Sequence, residues 1–261
     1  MEKNVVAVIM AGGLGKRMNS DVPKVLHKIG GISMINRIIQ NLITLSYTVH
    51  LHEIYIVVGK YKDQIQSSID EIIELQNILP SAPRVIYITQ ETPRGTGHAI
   101  MCCKDALTTH LNADVLILSG DVPLLSVDTM KRLLSIENEA KLIVTKISDP
   151  TGYGRVIVNN GNFNNIIEHK DCNLKQLKIR LINSGIYCIE SELLCKYITH
   201  LSSNNSQNEY YLTDVIEIIK REEKIEIGLL ELESDKNYEI IGVNTIEQLQ
   251  DLETTLQNII Q

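Results

Sequence analysis

The sequence predicts an α/β fold built on a doubly wound, mostly parallel sheet, and three features predict it. Short apolar runs of strand length alternate with stretches whose apolar residues recur at helical spacing, the order of β-α-β units. The first apolar run ends in a cluster of glycines, and in such sheets the ligand crevice lies at the carboxyl ends of the strands. Beyond Asp149-Pro150 the pattern changes to short β-like runs around a hairpin signal, which adds a smaller antiparallel lobe.

Taken in order, residues 5–10 are a run of the kind buried on both faces of a parallel sheet. Ser33 is placed to cap a helix that carries Ile35, Ile38, Ile39, Leu42 and Ile43 on one face. Residues 54–58 form a second buried-strand run ending at Gly59, and a helix with Ile65, Ile69, Ile72, Ile73 and Leu75 follows. Pro80 and Pro83 then break the chain. Strands are expected at 85–88 and 115–118, around a helix over 97–107, and helix 126–138 and strand 142–147 complete this half. The second half reads as strands 155–158 and 163–168 flanking Asn159-Asn160-Gly161, then strand 179–189, helix 191–200 and a polar loop over 202–208. Helix 213–222, strand 225–232 and the run 238–243 bring the chain back toward the sheet. From Asn244 a terminal helix is expected, with Ile246, Leu249, Leu252, Leu256 and Ile259 on one side. No internal repeat is present. The expectation is one domain over 1–261, with a first half to 148, a lobe and return over 149–243, and a terminal helix over 244–261.

Composition narrows the function. A hydrophobic content of 44% is ample for a core, and a formal net charge of -7 argues against a nucleic-acid partner. An acidic protein still binds nucleotides when its few cations converge on one cleft. The five cysteines include no C-x-x-C pair and are odd in number, as expected of reduced thiols in a cytoplasmic protein. The first apolar run is too short to span a membrane, and no signal or anchor is evident.

The glycines after the first run are Gly12, Gly13 and Gly15, joined by Lys16 and Arg17 and then by Pro23-Lys24. Such a loop lets the backbone approach a ligand and aims several N–H groups at an anion, and the cations suit a triphosphate. A tight strand-to-helix turn with solvated basic residues is the structural alternative. A P-loop needs Ser or Thr after Gly-Lys, where Arg17 stands, and the dinucleotide fingerprint needs a glycine at Met18. Ala11, Gly12, Gly13, Gly15, Arg17, Met18, Pro23 and Lys24 instead fit the sugar-nucleotidyltransferase signature A-G-G-x-G-x-R-[ML] followed by P-K. With the text S-D-V-P-K-V-L-H-K-I-G-G, the chain resembles the N-terminal uridylyltransferase domain of the bacterial N-acetylglucosamine-1-phosphate uridyltransferases. The resemblance runs from about residue 4 to 250 with its motifs in order.

It implies a nucleotide-diphospho-sugar transferase fold in which Met10, Ala11, Gly12, Gly13, Ser119 and Gly120 meet the nucleotide. Gln90 and Gly95-Thr96-Gly97 fall where the crevice is expected. A glutamine side chain both donates and accepts, so it can pair with a uracil amide edge. In the family this motif holds the uracil, although Thr92, Pro93 and Arg94 depart from its Q-x-E-x-x-G-T form.

Asp121 follows the strand over 115–118, and a carboxylate there is well placed to hold a hard cation over phosphates; a turn role is its structural alternative. Asn244, after a distant apolar run, offers a neutral oxygen. Similar enzymes bind one Mg²⁺ with this pair. His98, His169 and Cys172 show no zinc spacing. Sugars need donors and acceptors, and in the smaller lobe Glu168 supplies an acceptor, Asn183 both, and Gly154 an unobstructed backbone N–H. In the family's order these three match its acetylated-sugar site, with Ser184 where Thr is usual. The segment 208–214 matches a loop-to-helix element read as framing the site.

The implied reaction is attack of N-acetylglucosamine-1-phosphate on the α-phosphorus of UTP with release of pyrophosphate, Arg17 serving the pyrophosphate and Lys24 the phosphates near the α-phosphorus. Bifunctional relatives continue into a β-helix of hexapeptide repeats. No such repeats are present, so acetyl transfer is not expected and the oligomeric state stays open. Two other readings stand beside this one. A pyrophosphorylase for another nucleotide or hexose phosphate would keep the Gly-Arg-Lys loop and Asp121, and a non-catalytic sugar-nucleotide sensor need not keep every charge.

Overall fold

In the computed structural model, which describes residues 4–75 and 82–260, β1 (Asn4–Met10) lies inside the main sheet with parallel neighbours on both sides. Val6, Ala7, Val8 and Ile9 are all fully buried, but alternate residues enter different cores. Ala7 and Ile9 pack in the layer of α1 (Met34–Ser46), α2 (Lys62–Leu75) and α4 (Val127–Leu134). Val6 and Val8 pack in the opposite layer, with α3 (Thr96–Leu107), α5 (Ser191–Tyr197) and α6 (Thr213–Glu223). That two-sided burial is why the strand reads as continuously apolar rather than alternating.

Beyond β1 lie β4 (His50–Val58) and β5 (Arg84–Thr89) on one side and β6 (Ala113–Ser119) on the other, all parallel. The next strand out is β10 (Leu181–Glu190), antiparallel to both β6 and β7 (Ala140–Lys146). β11 (Gly228–Glu231) closes that edge parallel to β7. The chain leaves β7 at its carboxyl end, makes the hairpin of β8 (Arg155–Asn159) and β9 (Asn162–Ile167), and returns directly down β10. With no crossover helix between β9 and β10, the return has to be antiparallel. The hairpin stays hydrogen-bonded to β10 through Arg155 and Ile182, so the smaller antiparallel lobe is continuous with the main sheet. Its turn residues Asn160 and Gly161 take φ of 52° and 83°, the left-handed pair a two-residue hairpin turn requires.

Several boundaries differ from the sequence expectation. α4 ends at Leu134 rather than running to 138, with Ser126 Oγ accepting from Thr129 N at 3.1 Å at its start. Residues 191–200 are α5 followed by a short 3-10 turn. β10 begins at Leu181 because 176–178 form a 3-10 turn, and β11 is only four residues long. The run 238–243, expected only to lead back toward the sheet, begins inside a 3-10 helix over Ser234–Ile240 that buries Ile240. Pro80 lies outside the described residues.

A second, two-stranded sheet, absent from the sequence expectation, pairs β2 (Lys28–Ile29) with β3 (Ile32–Ser33), turning through Gly30 and Gly31 at φ of 57° and 78°. It forms a third core with α7 (Ile246–Ile260), in which Met18, Ile29, Met34, Val243 and Leu252 are buried. This packing ties the terminal helix to the glycine loop and so brings Asn244 beside Arg17. Ile259, assigned to the same helix face, is 47% exposed and adds little there. Among the described residues no helix is long and apolar enough to cross a membrane.

Candidate active site

The loop after β1 is held where two strands end. Ala11 N donates to Val57 O on β4 at 2.8 Å, and Gly120 N, just past β6, donates to Met10 O at 3.0 Å. At Gly12 a Cβ would stand 3.0 Å from Gln90 Oε1, so only glycine fits without displacing that side chain. At Gly13 nothing lies within 4 Å, which leaves the backbone open to a ligand. Gly15 takes φ of 61°, and a Cβ there would meet Lys24 Cβ at 2.7 Å. The same turn therefore packs the Pro23-Lys24 segment against the loop.

Lys24 points across to the end of β6. Its Nζ lies 2.5 Å from Asp121 Oδ2 and 3.2 Å from Asn244 Oδ1. Arg17 donates to the same Asn244 oxygen at 2.9 Å. Asp121 is braced from two sides: Ser119 Oγ donates to its Oδ1 at 2.6 Å, and Val243 N to its backbone carbonyl at 2.9 Å. Thus residues 121 and 244, far apart in sequence, present oxygens to one ammonium group. That ammonium stands in for a cation and marks a place where hard oxygen donors converge. A carboxylate and a carboxamide with open surroundings fit a divalent ion that takes its remaining ligands from phosphate and water.

Gln90 caps β5, and 5% of it is exposed. Its Nε2 donates to Gly95 O at 3.3 Å and to His98 Nδ1 at 2.9 Å, which leaves Oε1 toward Gly12. Burial, with Arg94 nearby, holds the His98 pKa below its usual value, so the neutral ring accepts that bond. The turn at Gly95, with φ of 105°, is pressed against Tyr210, whose carbonyl accepts from Gly97 N at 2.8 Å. Thr96 Oγ1 accepts from Leu212 N at 3.1 Å. The segment 208–214 therefore backs the Gln90 side of the cleft.

Glu168 follows β9 and accepts from Thr213 Oγ1 at 3.0 Å. Burial raises its pKa against the opposing hydrogen bond from Thr213, and Asp214, Asp171 and Glu209 add to the rise. Asn183 Nδ2 donates to Tyr187 Oη at 2.6 Å, and its Oδ1 accepts from Gly185 N at 3.2 Å. Gly154 stands behind this pair. Its carbonyl accepts from Asn183 N at 2.9 Å, and a Cβ on it would meet Ile166 at 3.0 Å.

Asp214, next to Thr213, has its pKa pushed up to about 6 by burial and then by Glu217 and Asp171. A carboxyl group whose pKa rises on folding binds more protons in the folded state. Stability then falls as pH rises from the ordinary value of 3.8 to about 6. Asp214→Asn removes this charge and is expected to melt higher than wild type above pH 6, the difference vanishing toward pH 3.8. Melting curves of both proteins across that range check the sign; a constant difference would contradict it.

Two adjoining depressions share Met10, Thr96, Ser119 and Asp121. One adds Ala11, Gly12, Gly13, Gln90, Gly95 and Lys24; the other adds Glu168, Asn183 and Asn244. Arg17 reaches the second of these depressions from an exposed position through Asn244. Gly120 and Gly154 lie behind the cleft as close-packing positions. Tyr153, Tyr187, Thr213 and Gly242 also line it, and sequence reasoning assigned none of them. Tyr153 sits inside the D-P-T-G-Y-G-R text and Thr213 inside the framing segment, so each had a local signal. Tyr187 sits inside the I-N-S-G-I-Y text with Asn183, but its contact with that side chain follows only from the folded strand.

The model of the MobA-like NTP transferase domain matches residues 7–167. A protein of Acanthamoeba polyphaga mimivirus named "Probable UDP-N-acetylglucosamine pyrophosphorylase" is 41% identical over 251 residues, covering 94% of each chain. The "Bifunctional protein GlmU" of Clostridium botulinum strain 657 is 39% identical over 257 residues, covering 96% of this chain and 52% of that one. The chain thus spans about half the length of such bifunctional relatives. A UDP-glucose pyrophosphorylase solved with UDP-glucose superimposes with a TM-score of 0.73 at 14% identity, over 98% of this chain and 99% of that one, a likeness of fold.

Proposed function

The chain belongs to the MobA-like NTP transferase family, and on that premise we propose that it is a UDP-N-acetylglucosamine pyrophosphorylase, making that sugar nucleotide and pyrophosphate from UTP and N-acetylglucosamine-1-phosphate. It is a sugar-1-phosphate nucleotidyltransferase. The observation that carries the reading is the meeting of two depressions at Asp121, with Lys24 on one wall and Asn244 on the other. One domain serves both substrates, with residues 1–148 as the nucleotide-binding half and 149–243 as the sugar-binding lobe and return to the sheet, of which 208–214 also backs the nucleotide half.

On the nucleotide side, Gln90 Oε1 accepts the uracil N3–H, and the open backbone at Gly13 lets phosphate oxygens approach the loop. On the sugar side, Glu168 and Asn183 meet hydroxyl and acetamido groups. The attacking phosphate oxygen is already ionised at neutral pH, so no general base is required. Catalysis is then positioning and electrostatics. Lys24 neutralises the phosphate near the α-phosphorus while Arg17 holds charge growing on the departing pyrophosphate. Enzymes of this family generally use a divalent metal. Asp121 and Asn244 are the residues to hold Mg²⁺, which when bound neutralises phosphate charge and orients oxygens. A cytoplasmic setting fits these substrates, and nothing in the reading calls for nucleic acid or a membrane.

Pyrophosphate release measured across a panel of sugar phosphates and nucleoside triphosphates tests the reading. Highest kcat/KM is expected for N-acetylglucosamine-1-phosphate with UTP. Preference for another sugar or base would replace the substrates and keep the site; ligand binding with no release of pyrophosphate from any pair would favour a sensor. Glu168→Ala is expected to raise KM for the sugar phosphate about tenfold or more, because a hydrogen bond to a charged group is lost, while KM for UTP hardly moves. Equal losses for both substrates would make Glu168 structural.

A further inference from the structure

Asn183 and Tyr187 are four residues apart on β10, and in a regular strand that spacing separates them by about 13 Å. Here their side chains touch, at 2.6 Å between Nδ2 and Oη. The cause is a bulge: Asn183 pairs with Val144 and Tyr187 with Leu142, so four residues of β10 span two of β7. Gly185, at φ of 78°, makes the compression possible. Ser184 Oγ pins the bulge by donating to Ile143 O at 2.8 Å and accepting from Ile186 N at 3.1 Å. Gly185 N also donates to Asn183 Oδ1, which fixes which end of the carboxamide is oxygen. The hydroxyl of Tyr187 must therefore accept from Nδ2.

We propose that Tyr187 is a positioning residue of the sugar subsite: its hydroxyl takes one amide hydrogen of Asn183 and so holds the second N–H as a fixed donor to the bound sugar. Tyr187 is only 2% exposed yet lines the cleft beside Asn183. Both ends of the carboxamide are held, one by Tyr187 and one by the bulge backbone. A donor fixed before the ligand arrives costs less rotational freedom on binding, and it discriminates for an acceptor group on the sugar. Burial, with Glu168 near, pushes the phenol pKa up, so the hydroxyl stays neutral throughout the working range.

The inference rests on the proposed sugar subsite, and a double-mutant cycle read by calorimetry separates the two. Wild type, Tyr187→Phe, Asn183→Ala and the double variant are titrated with UDP-N-acetylglucosamine and, separately, with UTP. Tyr187→Phe is expected to weaken the sugar nucleotide about tenfold and leave UTP unchanged, as when one hydrogen bond is lost. In the Asn183→Ala background it is expected to add almost nothing, since it acts through Asn183. The unchanged UTP affinity also shows that the variant is folded. Full additivity, or equal weakening of both ligands, would overturn the positioning role while leaving the proposed reaction standing. The expected cycle in a wild type that releases no pyrophosphate would sink the reaction and keep the role. Wild type that binds UTP but gains nothing from the sugar moiety would overturn both.

Discussion

Lys24→Ala is expected to lower kcat about 10²–10³-fold, the range for removing one preorganised charge from a reacting site. Its ammonium group donates to Asp121 at 2.5 Å and to Asn244 at 3.2 Å, and both partners belong to the cleft rather than the core. The backbone around it is held independently, by the Gly15 turn and the buried Val25. The variant is therefore expected to fold, with a melting temperature close to wild type. A second consequence separates charge from structure. The ammonium group occupies the two oxygens assigned to the metal, so removing it should let the nucleotide-free protein bind Mn²⁺ more tightly than wild type. Titration followed by the Mn²⁺ electron paramagnetic resonance signal reads this without turnover. Near-wild-type kcat, or unchanged Mn²⁺ affinity, would contradict the arrangement.

Asp121→Asn is the companion case. The substitution is nearly isosteric, and Ser119 Oγ can still donate to the amide oxygen. It removes the only formal charge contributed to the ion and leaves two neutral carboxamides. A hard cation binds neutral oxygens less well, so the Mg²⁺ concentration for half-maximal rate should rise about tenfold or more. Maximal turnover should fall as well, because charge near the phosphates is no longer fixed in place. Were Asp121 simply a turn residue, stability would change and the Mg²⁺ requirement would not. Rates over a Mg²⁺ series, with melting temperatures of both proteins, decide between the two.

Much of this site was legible because its residues follow strands. Gln90, Ser119 and Asp121 each fall at or just past the end of a parallel strand, where α/β crevices form, so apolar runs located them. The glycine loop was legible for a similar reason, since Gly12 and Gly15 occupy positions where a side chain would collide. Asn244 was placed by resemblance, and only the third core explains how it arrives: α7 packs on the β2–β3 hairpin beside Met18. That hairpin has two-residue strands, too short for any alternating pattern. The antiparallel course of β10 was also hidden, because a strand buried on both faces reads alike in either direction. The bulge at Gly185 escaped for a different reason. A glycine within a strand is common ground for bulges and close approaches, and nothing in the text tells which. Hence Tyr187, in the same I-N-S-G-I-Y text as Asn183, carried no role of its own.

The most direct test of the account is the stoichiometry of the wild-type reaction with UTP, N-acetylglucosamine-1-phosphate and Mg²⁺, followed by chromatography of the nucleotides. One UDP-N-acetylglucosamine is expected for each pyrophosphate released, with neither formed when the sugar phosphate is left out. Pyrophosphate release that ignores the sugar phosphate, or no sugar nucleotide at all, would contradict it.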